Sequence, residues 1–259
     1  MLYKDPSYWI LSKYINLKTE MNRGLDSYQL QIAVDGLYDF LWNDYAAWYL
    51  EYLKTDETQL AFGKALFKEF VILASPYIPF ETQALWQDFF KEQNLLVNEL
   101  QNDLWLVSLP LPKVNNFETI VDFISQIRSI KGVFGLDPAL SLPIYSNFEL
   151  LFEYKDFIKM TTKGEIMQEE KTELYFVQNQ NYSYSLPIKD KIADLSKEIT
   201  RTNKLMESLG KQISQLSSQL SNPKFVENAE AQVILEKQKD LQNRKIELAQ
   251  QIAKLKYLQ

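Results

Sequence analysis

Residues 192–220 read IADLSKEITRTNKLMESLGKQISQLSSQL. Ile192, Leu195, Ile199, Thr202, Met206, Leu209, Ile213, Leu216 and Leu220 fall on alternating steps of three and four, and Thr202 alone interrupts the apolar seam. A seam this narrow is a coiled-coil signal, because a helix lying on a globular core carries a broader stripe. Ser221-Asn222-Pro223 follows. Pro223 cannot continue a helix and pushes Asn222 away from the α region. Asn228 is the expected N-cap of a second helix. Its expected seam runs through Ile234, Leu241, Leu248, Ile252 and Leu255, with Gln238 and Lys245 as polar interruptions. Two helices of similar length joined by a short turn should fold back as an antiparallel hairpin. At ~1.5 Å per residue, about 30 residues give an arm roughly 45 Å long.

The rest of the chain has an ordered composition: 46% hydrophobic, 14% aromatic and 24% charged over 259 residues, enough for a substantial core. No apolar run approaches the ~18 residues of a membrane span, and nothing at the start reads as a signal peptide, so no membrane partner is expected. There is no Cys and no His. Disulfides and thiolate or imidazole metal sites are thereby excluded, as are Ser-His and Cys-His nucleophile pairs. The lack of Cys fits a cytoplasmic protein. The net charge of −6 is unevenly spread: residues 188–259 hold 13 Lys/Arg against 9 Asp/Glu, so the acidic excess lies in the remainder. That asymmetry points to an arm with its own partner, although a solvated coiled coil is also rich in Lys and Glu.

From its start, the chain reads as helices. Residues 7–22 place Ile10, Tyr14, Leu17 and Met21 on one face. Gly24 is an expected stop, and Asp26 or Ser27 an expected cap for the next helix. That helix, about Ser27 to Lys54, carries Tyr28, Tyr38, Phe40, Trp42, Tyr45, Trp48, Tyr49 and Tyr52. Apolar residues nearly all round it predict a central position. Asp39 and Asp44, five apart on an α-helix, point too far apart to share a metal or a proton. Further helices are expected over 58–74, 81–93 and 117–131, with a break at Ser75-Pro76-Tyr77-Ile78-Pro79 and a short extended segment at Leu104 to Leu109. Ile120, Phe123, Ile124 and Ile127 form the buried face of the last helix. Residues 140–145, 173–178 and 182–186 read as short strands, with a helix over 150–160. The expected fold is mainly α: a helical bundle (1–135), a small α/β connector (136–187) and an antiparallel two-helix coiled-coil arm (188–259).

Several motifs carry a family resemblance. Asn222-Pro223-Lys224-Phe225-Val226-Glu227-Asn228-Ala229 resembles the hairpin tip of the C-terminal arm of valyl-tRNA synthetases, with Glu230 where that family usually has Pro. Ser185-Leu186-Pro187-Ile188 through Ile192 resembles the strand-to-arm junction. Trp9-Ile10-Leu11-Ser12-Lys13, Tyr38 to Tyr45, Trp48 to Glu51, Pro76 to Phe80, Leu85-Trp86-Gln87 and Ile127 to Lys131 are similar to the helical anticodon-binding domain of class I synthetases. Departures are Ala46-Ala47 in place of Cys-Asp, Ser75 in place of His, and Gln83-Ala84 in place of Glu-Glu.

The resemblance implies the tRNA-binding region of a valine–tRNA ligase, without the catalytic and editing domains. The bundle would engage the anticodon stem-loop, and the arm the outer corner of the tRNA. The implied partner is tRNA, valine-specific in this family, with a catalytic synthetase domain or chain as a further partner and a monomeric state. No catalytic residue, metal or cofactor is expected in this region; ATP and Mg would bind the missing catalytic domain. Neither the family's His-containing ATP signature nor a Lys-Met-Ser-Lys-Ser-like loop is present. The candidate RNA contacts are Arg128 and Lys131 on the polar side of the 117–131 helix, and Arg201, Lys204, Lys211, Arg244 and Lys245 flanking the arm seam. Each competes with the reading of a surface cation that only solvates its helix. The aromatic residues of the second helix compete likewise between base stacking and a core role, and core is the expectation. Two other readings stand: a coiled-coil interaction protein that is not catalytic, and one half of a split synthetase.

Overall fold

A computed structural model describes residues 4–91, 116–168, 175–178, 182–229 and 231–259. The expected extended segment at 104–109 lies outside these. The chain divides into two units: Met1–Ile124 with Glu153–Thr161, and Ser125–Phe152 with Thr162–Gln259. The division falls inside one helix, Asn116–Val133.

The first unit begins with α1 (Asp5–Asp26), whose Pro6 sits in the first turn, where its missing N–H costs no hydrogen bond. Ile10, Tyr14, Leu17 and Met21 are buried, as their spacing predicts. Gly24 does not stop the helix; a Cβ there would lie 3.1 Å from the Gln29 carbonyl oxygen, so its role is close approach. Ser27 caps this helix and not the next: its Oγ donates to the Arg23 carbonyl at 2.8 Å. Tyr28, at φ 58°, makes the left-handed turn.

The second helix is less uniform than its sequence suggests. It runs as α2 (Leu30–Tyr38), a π-helical stretch Asp39–Tyr49, and α3 (Leu50–Leu53). The buried positions Leu37, Phe40, Tyr45, Tyr49 and Tyr52 explain the widening. In an α-helix the five-residue step from Phe40 to Tyr45 would swing roughly 140° off the face. The i→i+5 turn brings Tyr45 back to the core, where it lies 6.1 Å from the Phe40 ring and donates to the Gly63 carbonyl at 2.9 Å. The same widening removes the α-helical argument that separates Asp39 from Asp44: burial raises the pKa of Asp44, Lys13 opposes the rise, and Glu118 and Asp39 add to it. The helix is not buried all round either, since Tyr38 and Trp42 are exposed.

Asp56 caps the next turn, accepting from the Thr58 hydroxyl at 2.6 Å, and α4 (Leu60–Ala74) follows. The expected break at 75–79 holds, and α5 (Pro79–Phe89) begins with Pro79 in its first turn. Phe117 at the start of α6 (Asn116–Val133) stacks edge-on to Trp9 and Tyr52.

In the second unit a four-stranded sheet has the order β2-β1-β4-β3, formed by β1 (Leu142–Tyr145), β2 (Gly164–Met167), β3 (Tyr175–Gln178) and β4 (Ser183–Leu186). Strand β2, absent from the expectation, pairs parallel to β1. Gly164 permits this pairing, because a Cβ there would come within 2.5 Å of the Ile144 side chain. Along the chain between β1 and β2 come α7 (Glu149–Glu153) and α8 (Lys155–Thr162), in place of one expected helix; residues 153–161 of this stretch belong to the first unit.

The arm is a pair of long helices, α9 (Leu195–Leu220) and α11 (Ala231–Leu258), with a short tip helix α10 (Pro223–Asn228) between them. Asn228 ends the tip helix, so it is not the N-cap of the second long one. Lys254 pairs with Glu198 at one end, and Lys237 donates to Gln219 at 3.0 Å toward the other, which fixes the antiparallel register. The α9 seam lies where the heptads place it, with Thr202 and Leu209 buried. Thr202 is accommodated because its hydroxyl donates to the Glu198 carbonyl at 2.8 Å. On α11 the expected seam residues Ile234, Leu241, Leu248 and Leu255 lie half-buried where the sequence places them, and only the positions between them stand one residue earlier than expected. Ile252 is 50% exposed, whereas Gln251, Lys254 and Leu258 are buried. Lys237 and Arg244, half-buried, occupy the inward positions expected for Gln238 and Lys245, which are exposed. Among the described residues, no helix is long and apolar enough to cross a membrane.

Candidate nucleic-acid interface

The base of the arm holds two of the cations that the sequence singles out, Arg201 and Lys204. Asp194 starts α9, accepting from the Lys197 backbone N–H at 2.9 Å. On this helix Lys197, Arg201, Lys204 and Lys211 recur at steps of four, three and seven, a single stripe beside the apolar seam. All four are exposed. At ~1.5 Å per residue the stripe is about 21 Å long, the scale of several successive backbone phosphates.

At its lower end the stripe borders a groove of about 900 Å³. Phe134, Gly135 and Leu136 form one wall; Lys191, Lys197, Arg201 and Lys204 supply positive charge, against Asp194 and Glu198. Gly135 has φ 64°, and the Arg201 guanidinium would lie 3.5 Å from a Cβ placed there. Glu198 does not cancel this charge freely, because Lys254 already engages it at 2.5 Å. Arg201 reaches the same carboxylate only at 3.9 Å and is largely exposed.

The arm base is also rigidly held. Lys254 is buried, donates to the Val133 carbonyl at 2.5 Å and lies over the Phe134 ring at 5.3 Å. The Tyr257 hydroxyl accepts from the Lys189 N–H at 3.0 Å, and its ring meets Phe134 and Tyr175 edge-on.

The other candidates fall in different surroundings. Lys211 is exposed and pairs with Glu207 at 2.8 Å, and that hydrogen bond lowers the Glu207 pKa. Arg244 is half-buried and pairs with Asp240 at 3.2 Å; Lys245 beside it is exposed. The register of the hairpin sets these two opposite the Lys211 turn. Arg128 is exposed. Lys131 is not on the polar side of its helix. It is 3% exposed, and its ammonium donates to the carbonyls of Pro138, Leu140 and Thr162 at 3.0, 2.6 and 2.6 Å. Its three protons are used, so no donor remains for a phosphate. Burial lowers its pKa below the ordinary lysine value. Lys191 and Lys197 belong to the groove, and the reading of the sequence passed over both; the i, i+4 step from Lys197 to Arg201 was the available signal. Among the described residues, no group of three or more carboxylates could hold a metal ion.

The family model for the anticodon-binding domain of tRNA ligases matches residues 7–146, more than half of the chain. A second, for the tRNA-binding arm of valyl-tRNA synthetase, matches residues 194–258, which hold the stripe and both long arm helices. The chain therefore belongs to the anticodon-binding-domain family of tRNA ligases. Among its relatives is the valine–tRNA ligase of a Nitratiruptor species, 29% identical over 97% of this chain and 30% of that protein. The valine–tRNA ligases of Ureaplasma parvum and Zymomonas mobilis are 28% and 25% identical, over 95% and 91% of this chain and 29% of each protein. The chain spans about 30% of the length of the curated relatives it matches.

Proposed function

We propose that this chain is the tRNA-binding region of a valine–tRNA ligase. The observation that carries the reading is the cationic stripe Lys197–Arg201–Lys204–Lys211, which lies on a hairpin that matches a tRNA-binding arm. Phosphates are spaced regularly along a backbone and are met by cations at intervals, whatever the bases. The arm would track the outer corner of the tRNA through phosphate and shape, and the bundle would take the anticodon stem-loop, where unstacked bases can be read. Valine specificity follows from the relatives' substrate and is part of the proposal.

The region belongs to an enzyme family but does not itself activate valine. It has no His, and its sequence holds no ATP-binding signature of the class I type. ATP and Mg would serve the catalytic portion. The chain works in the cytoplasm as a monomer, with tRNA and the catalytic portion as partners.

The deciding experiment is tRNA binding as a function of salt, for the wild type and for Arg201→Ala/Lys204→Ala/Lys211→Ala. Each lost phosphate contact lowers the slope of log affinity against log salt by about 0.7–0.9. The triple variant should lose slope equally for tRNAs of different anticodon, since corner contacts carry no anticodon sequence. An unchanged slope with intact helicity would refute the arm as an RNA-binding element and favour the coiled-coil interaction protein. ATP–pyrophosphate exchange by the purified chain alone would refute the non-catalytic assignment.

A further inference from the structure

One face of the first unit carries a row of exposed apolar side chains. Leu30, Val34, Tyr38 and Trp42 recur every four residues along α2 and the start of the π-helical stretch. They are 58, 47, 61 and 61% exposed. Four large apolar side chains in an unbroken row are not the scattered exposure of an ordinary surface. The row is an i±4n ridge, the element that packs into the grooves of a second helix. Its 12-residue span corresponds to about 18 Å, or roughly three helical turns. At the Trp42 end it opens into an apolar cleft of about 420 Å³, lined by Leu41, Leu50, Leu60 and Phe89 among others. A cleft of this size accepts one large apolar side chain from whatever lies along the ridge.

The flanks say what the partner carries. Asp35 and Asp39 stand beside the ridge, held by Gln31 at 2.6 Å and Asn43 at 2.9 Å. Carboxylates there repel a phosphate backbone, and Leu30 and Val34 offer no ring for a base to stack on. Residues 24–53 hold no Lys or Arg of the kind that flanks a membrane-surface helix, and Lys64 lines the cleft at the Trp42 end. A helix with one apolar stripe and neighbouring basic residues satisfies both the ridge and its acidic edge.

We propose that the Leu30–Val34–Tyr38–Trp42 ridge docks an amphipathic, basic-edged helix of the catalytic portion of a valine–tRNA ligase. The source follows from length: the relatives carry more than twice as much further chain as the region matched here. The inference rests on the proposed function, and it makes this face, and not the arm, the site of attachment to the catalytic portion, whether that portion is joined or separate.

The test titrates the full chain with the catalytic portion of the same cell's valine–tRNA ligase, purified and shown to be folded by its own ATP–pyrophosphate exchange. Binding should slow amide exchange over residues 30–42. Val34→Glu/Trp42→Glu should weaken it at least 100-fold, and Asp35→Lys/Asp39→Lys about tenfold, at low salt. Both sites are exposed, so far-UV circular dichroism and tRNA binding should match the wild type. Failure of the wild type to bind, or equal binding by the Val34/Trp42 variant, overturns the proposal. Slowed exchange over 30–42 on self-association assigns the ridge to a second copy; the same effect from tRNA alone assigns it to RNA, and either result overturns it. In every case tRNA affinity and its salt slope report on the proposed function separately.

Discussion

The ammonium of Lys254, near the end of the last helix, lies 2.5 Å from Oε1 of Glu198, in the first turn of the helix it pairs with. The same ammonium donates to the Val133 carbonyl at 2.5 Å. One buried cation thus ties both arm helices to the end of α6, and the cationic stripe starts from a fixed base. The contact stays within the second unit and joins elements far apart in sequence.

Lys254→Met should destabilise the second unit by about 2–4 kcal/mol, because it leaves the Glu198 carboxylate and the Val133 carbonyl without their partner. Glu198→Gln/Lys254→Met should cost less than the sum of the two single changes, since neither partner is then left as a lone buried charge. Urea unfolding of the four proteins in the cycle measures the coupling. Strict additivity would mean that the pair contributes nothing as a pair.

Lys131→Met should cost about 2–4 kcal/mol, as three carbonyls lose their common donor. It should leave the salt slope of tRNA binding unchanged. A lower slope with unchanged stability would return Lys131 to the RNA surface and contradict its burial.

Asp56 links the start of the chain to the 57–59 turn: it accepts from Lys4 at 2.7 Å, Tyr52 at 2.9 Å and Thr58 at 2.6 Å. Burial alone would raise its pKa; these donors outweigh that and bring it down to about 2. The folded pKa lies below the unfolded value of about 3.9, so the carboxylate's contribution is complete above pH ~4 and is lost as pH falls toward 2. The contribution is at most about 2–3 kcal/mol. Asp56→Asn should be less stable at neutral pH and should flatten the decline of bundle stability between pH 4 and 2. Parallel stability–pH curves for the two proteins would remove Asp56 as the cause.

Phe225 is half-buried at the arm tip, with the Lys237 ammonium 5.8 Å from its ring centroid. A fully buried Phe loses about 3–5 kcal/mol on truncation to Ala, and a half-buried one about half of that. Phe225→Ala should therefore quicken hydrogen exchange near residues 215–235 and leave the first unit unchanged. Uniform loss of protection over the chain would show that the tip is not a local unit.

Local chemistry made much of the molecule legible. Heptad spacing placed the α9 seam, Pro223 placed the turn, and the proline pair around Tyr77 placed the break before α5, because periodicity and proline geometry act within a few residues. The cations Arg201 and Lys204 were legible for the same reason: they stand one helical turn apart on a helix whose inner face was already known. The acidic flank and the exposure of Tyr38 and Trp42 were not. An i+4 row of apolar residues reads the same whether it faces a core or solvent, and only packing distinguishes the two. On α11 the sequence placed Ile234, Leu241, Leu248 and Leu255 on the seam, but not the positions between them: Gln251 and Lys254 are buried, Lys254 through specific polar partners, while the apolar Ile252 faces out. Lys131 was misplaced on the same ground: a lysine is assigned to the surface by type, and only three converging carbonyls from separate segments make its burial stable. The π-helical turn follows from the core's demand for Tyr45, an energy that neighbouring residues in sequence do not carry. What acts over one or two turns was written in the order of residues; what depends on distant partners was decided by the tertiary fold.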